Sequence, residues 1–295
     1  MSGLKDLRRR IKTIASTGKI TKAMKLVAAS KLRKAGESAL SSKPYFEHIL
    51  KVLGNISVNY KEVESNLFLC EKNSEKKQKY LIVVLTSDRG LCGSFNSSMV
   101  KMAIRRVKEL ESLGHEAEIV CVGKKSVSQM QSSYYSKLVI KEFENIKQND
   151  ASFAKELQEY IISNLYEGEF DRCEFIYNKY ISALVQEPKN AQIIPFSIDK
   201  ISHQFDIKPY NGEFIYEPQI EELLDLLMPK AILGIIRHFL LESYASEQAA
   251  RMNAMDNASK NAADMMDKLT LILNRSRQSL ITKELVEIIS GAESI

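Results

Sequence analysis

A chain of 295 residues with 44% apolar and 27% charged side chains is long enough for one or two domains, and that balance excludes a disordered or fibrous protein. The net charge of +5 hides an asymmetry: residues 1–35 hold eleven Lys or Arg and only Asp6 as an acid, a local +10, so the remainder is net −5. Such a basic stretch suits nucleic acid, an acidic membrane surface or acidic protein walls. Nucleic acid is disfavoured because no aromatic interleaving and no helix-turn-helix, RRM, KH or zinc signature accompanies the charge.

Residues 2–58 read as a first long helix, with Ser2 as a plausible N-cap and Pro44 as a kink or break. Along it Leu4, Leu7, Ile11, Ile14, Gly18, Thr21, Lys25, Ala28, Leu32, Ala35 and Ala39 are spaced alternately by three and four, with Lys25 the one charged exception. Residues 61–78, rich in Glu and Lys, read as a solvated linker. A strand at 80–86 follows, then the glycine turn Asp88-Arg89-Gly90-Leu91-Cys92-Gly93 and a helix at 96–113. The pattern repeats through 117–122, 123–131 and 137–143; a helix at 151–166 and strands at 173–180 and 192–198 complete it. This alternation predicts a parallel, three-layer α/β domain. Residues 200–218 read as an irregular return and 219–227 as a short helix.

Pro229 suits the first turn of the last helix, which meets no interior breaker until Ser290-Gly291. Its positions Met252, Met255, Ser259, Ala262, Met266, Leu269, Leu273, Ser276 and Leu280 again alternate by three and four, and none of the nine is charged. Two such seams at opposite ends predict one antiparallel coiled coil, in which Gly18, Thr21, Ala28, Ser259 and Ala262 let the backbones approach closely. The competing reading is two unrelated amphipathic helices packed on a globular core. The predicted fold class is therefore α/β: a long antiparallel coiled coil from the two termini (1–60 and 219–295) with a three-layer α/β domain (61–218) inserted between them.

Little in the sequence points to chemistry. Cys70, Cys92, Cys121 and Cys173 lie 22, 29 and 52 residues apart, with no CxxC pair and no nearby histidine, and read as reduced thiols rather than a metal site. His48, His115, His203 and His238 stand in no recognisable triad order. The turn at 87–93 is the best candidate for a phosphate site, but it lacks both the dinucleotide-binding glycine spacing and the P-loop ending. Asp88 could act there as an acid or a Mg²⁺ ligand, though no second carboxylate follows at helical spacing. Met252, Met255, Met265 and Met266 read as core packing rather than an adaptable surface. The most apolar stretch, 223–241, is interrupted by Asp225, Pro229, Lys230, Arg237 and His238, so no membrane span is expected, and no apolar run of signal-peptide length lies near the start.

Three segments resemble the gamma subunit of F-type ATP synthases: Lys19-Ile20-Thr21-Lys22-Ala23-Met24-Lys25-Leu26-Val27-Ala28-Ala29-Ser30-Lys31-Leu32; Ser87-Asp88-Arg89-Gly90-Leu91-Cys92-Gly93-Ser94-Phe95-Asn96; and the run from Ser246-Glu247-Gln248-Ala249-Ala250-Arg251-Met252 to Ile281-Thr282-Lys283-Glu284-Leu285 and Glu287-Ile288-Ile289-Ser290-Gly291-Ala292. The resemblance implies a noncatalytic rotor: the coiled coil is the shaft within a ring of three alpha and three beta subunits, and the α/β domain lies outside it near the epsilon subunit and the membrane c-ring. Proton flow would turn ring and shaft together, while ATP is made on beta. It also implies coupling contacts at Met24, Arg277, Gln278 and Thr282, charged contacts at Arg251 and Arg275, an apolar bearing at Leu285, Ile288 and Ile289, and foot contacts at Tyr216 and Glu217. No cofactor, direct nucleotide binding or nucleic-acid partner is expected. The implied location is the cytoplasmic face of a bacterial plasma membrane, with the matrix face of an organelle inner membrane as the alternative. The regulatory cysteine-pair insertion of chloroplast members has no counterpart here, and Pro229 falls where some members continue the helix. Two other readings stay open on the residues: a basic coiled-coil scaffold or nucleic-acid binder, and a small phosphoryl-transfer enzyme using residues 87–93.

Overall fold

A computed structural model describes residues 2–59, 77–146, 150–196, 216–217 and 219–293. The expected linker and return lie almost wholly outside the described residues, as do Cys70 and His203. The elements run in the order α1 (Ser2–Asn59), β1 (Lys79–Leu85), α2 (Phe95–Ser112), β2 (Glu116–Val122), α3 (Lys124–Gln131), a 3₁₀ segment (Tyr134–Leu138), β3 (Val139–Phe143), α4 (Ala151–Tyr166), β4 (Arg172–Tyr180), β5 (Gln186–Ile194) and α5 (Ile220–Glu293). They form two compact units, one of Met1–Ala29 with Arg251–Ile295 and one of Ser30–Ala250, so α1 and α5 each contribute to both.

Within the Ser30–Ala250 unit, five strands form one sheet in the order β3-β2-β1-β4-β5. The pairings β1–β2, β1–β4 and β2–β3 are parallel, as the alternation of elements predicts, but β5 joins β4 antiparallel. Alternate residues of β1 enter opposite faces. Tyr80, Ile82 and Val84 pack with Met99, Ala103, Val107 and Leu110 of α2, whereas Leu81, Val83 and Leu85 pack with Phe153, Leu157 and Ile161 of α4. That second face also takes Leu50, Leu53 and Ile56 from α1 and Met228, Ile232, Ile235 and Phe239 from α5. Both faces of the central strand are thus dry, which is why β1 reads as an unbroken apolar run rather than as an alternation.

Three sequence expectations are corrected. α1 runs through Pro44 without ending, and α5 runs through both Pro229 and Gly291, so there is no separate helix at 219–227 and no stop at Ser290. Proline removes one donor and crowds the preceding turn; at Pro229 the burial of Met228, Ala231 and Ile232 holds the helix through it, and the Pro229 carbonyl accepts 2.8 Å from Gln158 Nε2 on α4. The strand expected at 192–198 starts six residues earlier, at Gln186. It contains Pro188, which an edge strand tolerates because one side makes no ladder bond.

Candidate functional site: the helix pair

The Met1–Ala29 and Arg251–Ile295 unit is a pair of antiparallel helices. As residue numbers rise along α1 their partners fall along α5: the Cβ of an alanine at Gly18 would meet Ala262 Cβ at 3.4 Å, the Thr21 and Ser259 hydroxyls hydrogen-bond at 2.7 Å, and Lys25 Nζ donates to Asp256 Oδ1 at 2.6 Å. Each seam position from Leu4 to Ala28 is buried or half-buried, and so is every one of the nine from Met252 to Leu280. The sequence period therefore marks the covered stripe correctly at each of these places.

Lys25, the apparent flaw in the α1 seam, has a built partner. Asp256 accepts from Lys25 and, at 3.0 Å, from Lys260, and these two ammonium groups, Lys25 first, hold its carboxyl below the usual aspartate range. The outer surface of the pair carries Ile20, Leu26 and Val27 exposed on α1 and Met265, Leu271 and Ile272 exposed on α5. One flank opens into a groove of about 700 Å³ in which Arg9, Arg10 and Lys268 stand around Ile14, Met265 and Leu269.

Beyond Leu280 the covered stripe ends. All ten positions from Ile281 to Ser290 are exposed, and among them Leu285 (53%), Ile288 (68%) and Ile289 (58%) are large and apolar. Thr282 Oγ1 bonds back to the Gln278 carbonyl at 3.0 Å and Lys283 pairs with Glu287 at 3.6 Å, so the polar groups of this end satisfy one another along the helix. Exposed apolar side chains grouped on one helix end are a feature that marks many interaction surfaces.

Of the other expected contact residues, Arg275, Arg277 and Gln278 are exposed on the same stretch of α5, and Met24 is half-buried on α1. Arg251 is buried and so differs from them. Tyr216 packs against the core cluster of the Ser30–Ala250 unit and Glu217 is exposed there. Composition and period did not single out Asp256, Ile20, Leu26 or Val27; the signal available for Asp256 was a lone acid one place after the seam position Met255, with the seam lysine to answer it.

The turn after β1 sits where the strand order reverses between β1 and β4, the usual crevice for a ligand in such sheets. Here the chain's own groups fill it. The Asp88 carboxylate accepts from the backbone N–H groups of Lys124, Asn145 and Ile146 at 3.0, 3.2 and 2.8 Å, using the helix start that an anion would use. Asn96 Oδ1 accepts from both the Ser87 amide and its hydroxyl, at 2.9 and 3.0 Å. Cys92, Cys121 and Cys173 are buried and form no disulfide among the described residues, and burial pushes the Cys121 thiol up to about 12. Among the described residues no cluster of His, Cys, Asp and Glu is placed to hold a metal, and no helix is long and apolar enough to cross a membrane.

Helix pair and α/β body together define a subunit of the ATP synthase class: the family model described as ATP synthase matches residues 3–295. The ATP synthase gamma chains of Pelagibacter ubique and Rhodospirillum rubrum are 42% identical over 296 residues and 41% identical over 301, each alignment covering all of both chains. The chain belongs to the ATP synthase gamma chain family. A central stalk structure of the Tetrahymena thermophila mitochondrial ATP synthase, 26% identical, superposes with a TM-score of 0.59 over 81% of this chain and 99% of its own. A chain of the Euglena gracilis mitochondrial enzyme shares the fold at a TM-score of 0.65, 19% identity and coverage of 99% and 94%. The protein is a noncatalytic subunit of the rotor stalk.

Proposed function

We propose that the pair formed by residues 1–29 and 251–295 is the shaft that turns inside a ring of three alpha and three beta subunits, and that the end of α5 is its bearing. The observation that carries this reading is the helix end beyond Leu280, where Leu285, Ile288 and Ile289 stand more than half exposed. Apolar burial is non-directional, so a side chain in an apolar sleeve meets a similar environment at every angle. Directional contacts belong lower on the shaft. Arg275, Arg277, Gln278 and Thr282 are exposed polar groups of α5, and with Met24 they form the coupling contacts to beta; charged hydrogen bonds made and broken there set preferred angles. Arg251, buried in the free chain, supports the helix pair before it meets any partner. Tyr216 and Glu217 belong to the foot that meets the epsilon subunit and the c-ring.

The chain works as a peripheral part of the soluble sector of its complex, on the cytoplasmic face of a bacterial plasma membrane. Bacterial relatives at about 40% identity over the whole chain support that location. Mixing the full chain with alpha and beta subunits should give one stoichiometric complex with three alpha, three beta and one copy of this chain, hydrolysing ATP faster than alpha and beta alone. Failure to form any stoichiometric complex would end the reading. Met24→Lys adds a charge at the coupling face: the complex should still assemble, while ATP-driven proton pumping in membranes falls well below wild type.

A further inference from the structure

The apolar part of the seam does not by itself choose how the two helices align, because small and aliphatic residues face small and aliphatic residues in several registers. Moving α5 one heptad along α1, about 10 Å of travel, keeps apolar residues opposite apolar ones over most of the stripe. The polar positions behave differently. In the observed alignment Thr21 meets the Ser259 hydroxyl at 2.7 Å and Lys25 meets Asp256 at 2.6 Å, two consecutive layers with reciprocal partners. A shift of one heptad in either direction sets Thr21 against Met252 or Met266, Ser259 against Ile14 or Ala28, and Lys25 against Ala249 or Ala263. None of those residues offers an acceptor for the Lys25 ammonium or a hydroxyl for Thr21 and Ser259.

We propose that Thr21, Lys25, Asp256 and Ser259 form a polar band that specifies the register of the helix pair. Thr21 is 8% exposed, and a slip takes away its cross-helix partner and leaves it only the Gly18 carbonyl of its own helix at 3.1 Å, as Ser259 keeps only that of Met255 at 2.9 Å; Asp256 is drawn on from both sides by Lys25 and Lys260. The band excludes wrong alignments more than it adds stability, because the Lys25 and Asp256 side chains are 40% and 30% exposed and such a pair adds little by itself. Residues 30–250 separate the two paired stretches, so no short loop fixes their alignment; α1 and α5 also both enter the apolar core of the Ser30–Ala250 unit, and disulfide trapping distinguishes that anchor from the band. Gly18 adds a steric marker at the same level, because the backbone passes so close to Ala262 there.

Disulfide trapping in the full chain reads the register. Gly18→Cys with Ala262→Cys reports the observed alignment, since their Cβ approach is near the disulfide range. Gly18→Cys with Leu269→Cys reports a one-heptad slip. After mild oxidation and peptide mapping, which separates these bonds from the native cysteines, the wild-type band should give the first disulfide and only a trace of the second. Levelling the band with Thr21→Val, Lys25→Leu, Asp256→Leu and Ser259→Ala should raise the slipped product at least tenfold. The milder Thr21→Val, Ser259→Ala chain, which loses only two hydroxyls, should raise it about threefold and decides the matter if the levelled chain does not fold. A slipped yield unchanged from wild type in the folded variants means that other parts of the chain fix the register, and overturns the proposal.

Discussion

Asp88 stands in the turn where a nucleotide-binding protein would place its ligand, and its carboxylate does what a bound anion would do. It collects three backbone N–H groups from the start of α3 and the end of β3. Asp88→Ala should lower stability by about 1–3 kcal/mol in a denaturant titration, because three donors lose their acceptor. Calorimetry of the full chain should show no heat with Mg-ATP, since the crevice is already occupied. Glu174 is only 3% exposed on its side of the sheet at 4% for the side chain, and it receives Arg106 through Nε at 2.8 Å and Nη2 at 2.6 Å, with Asn190 Nδ2 as a further donor. Glu174→Ala leaves Arg106 partly exposed and still paired with Glu109 at 3.3 Å, and leaves the Asn190 amide without this acceptor, so it should cost about 1–3 kcal/mol. Glu242 gives a pH signature. Burial raises its carboxyl, and the Tyr180 N–H and Lys179 oppose the shift only in part; His238 lies 4.0 Å away. A raised carboxyl favours the folded state below the unfolded pKa, and that contribution is lost as pH rises through the folded pKa. Glu242→Gln, which keeps an acceptor for Tyr180, should therefore raise Tm at pH 8 and change it little at pH 4.

At the scale of elements, much was legible. Every described seam position in the helix pair is covered, because a three-and-four alternation has a single geometric meaning when sustained over several turns. β1 was legible for the opposite reason: a fully apolar run means both faces are covered. What misled was punctuation. Pro44 reads locally as a kink or break, Pro229 as a helix start and Gly291 as a stop, but a long helix can give up one hydrogen bond at a proline and continue. The first half of β5, Gln186-Glu187-Pro188-Lys189-Asn190, has no apolar pattern because an edge strand leaves its outer side in water, so only the pairing with β4 identifies it. The proposed contact residues come mainly from family likeness; Lys25 was visible as an irregularity, while its answer at Asp256 required the register of two distant helices. Gly123 tests the strand-to-helix junction of β2 and α3. Its φ is +98°, and an added Cβ would lie 2.3 Å from the Thr86 carbonyl oxygen, so Gly123→Ala should destabilise the chain by about 2–4 kcal/mol.

Across the whole molecule the division of labour is plain. Packed apolar surface fills the α/β body, whereas the end of α5 is left with large apolar side chains exposed. Leu285→Ser with Ile288→Ser should leave the stability of the isolated chain within about 0.5 kcal/mol of wild type, since both side chains are largely exposed. The same pair of changes should loosen the seat of the chain in the ring and weaken coupling of hydrolysis to pumping. The most direct test of a turning shaft is to watch it turn. With the ring fixed to a surface through its beta subunits and a bead tethered at Lys108→Cys, on the exposed side of α2, Mg-ATP should drive continuous rotation of the bead in one direction; a complex that hydrolyses ATP at full rate while the bead stays still would contradict the account.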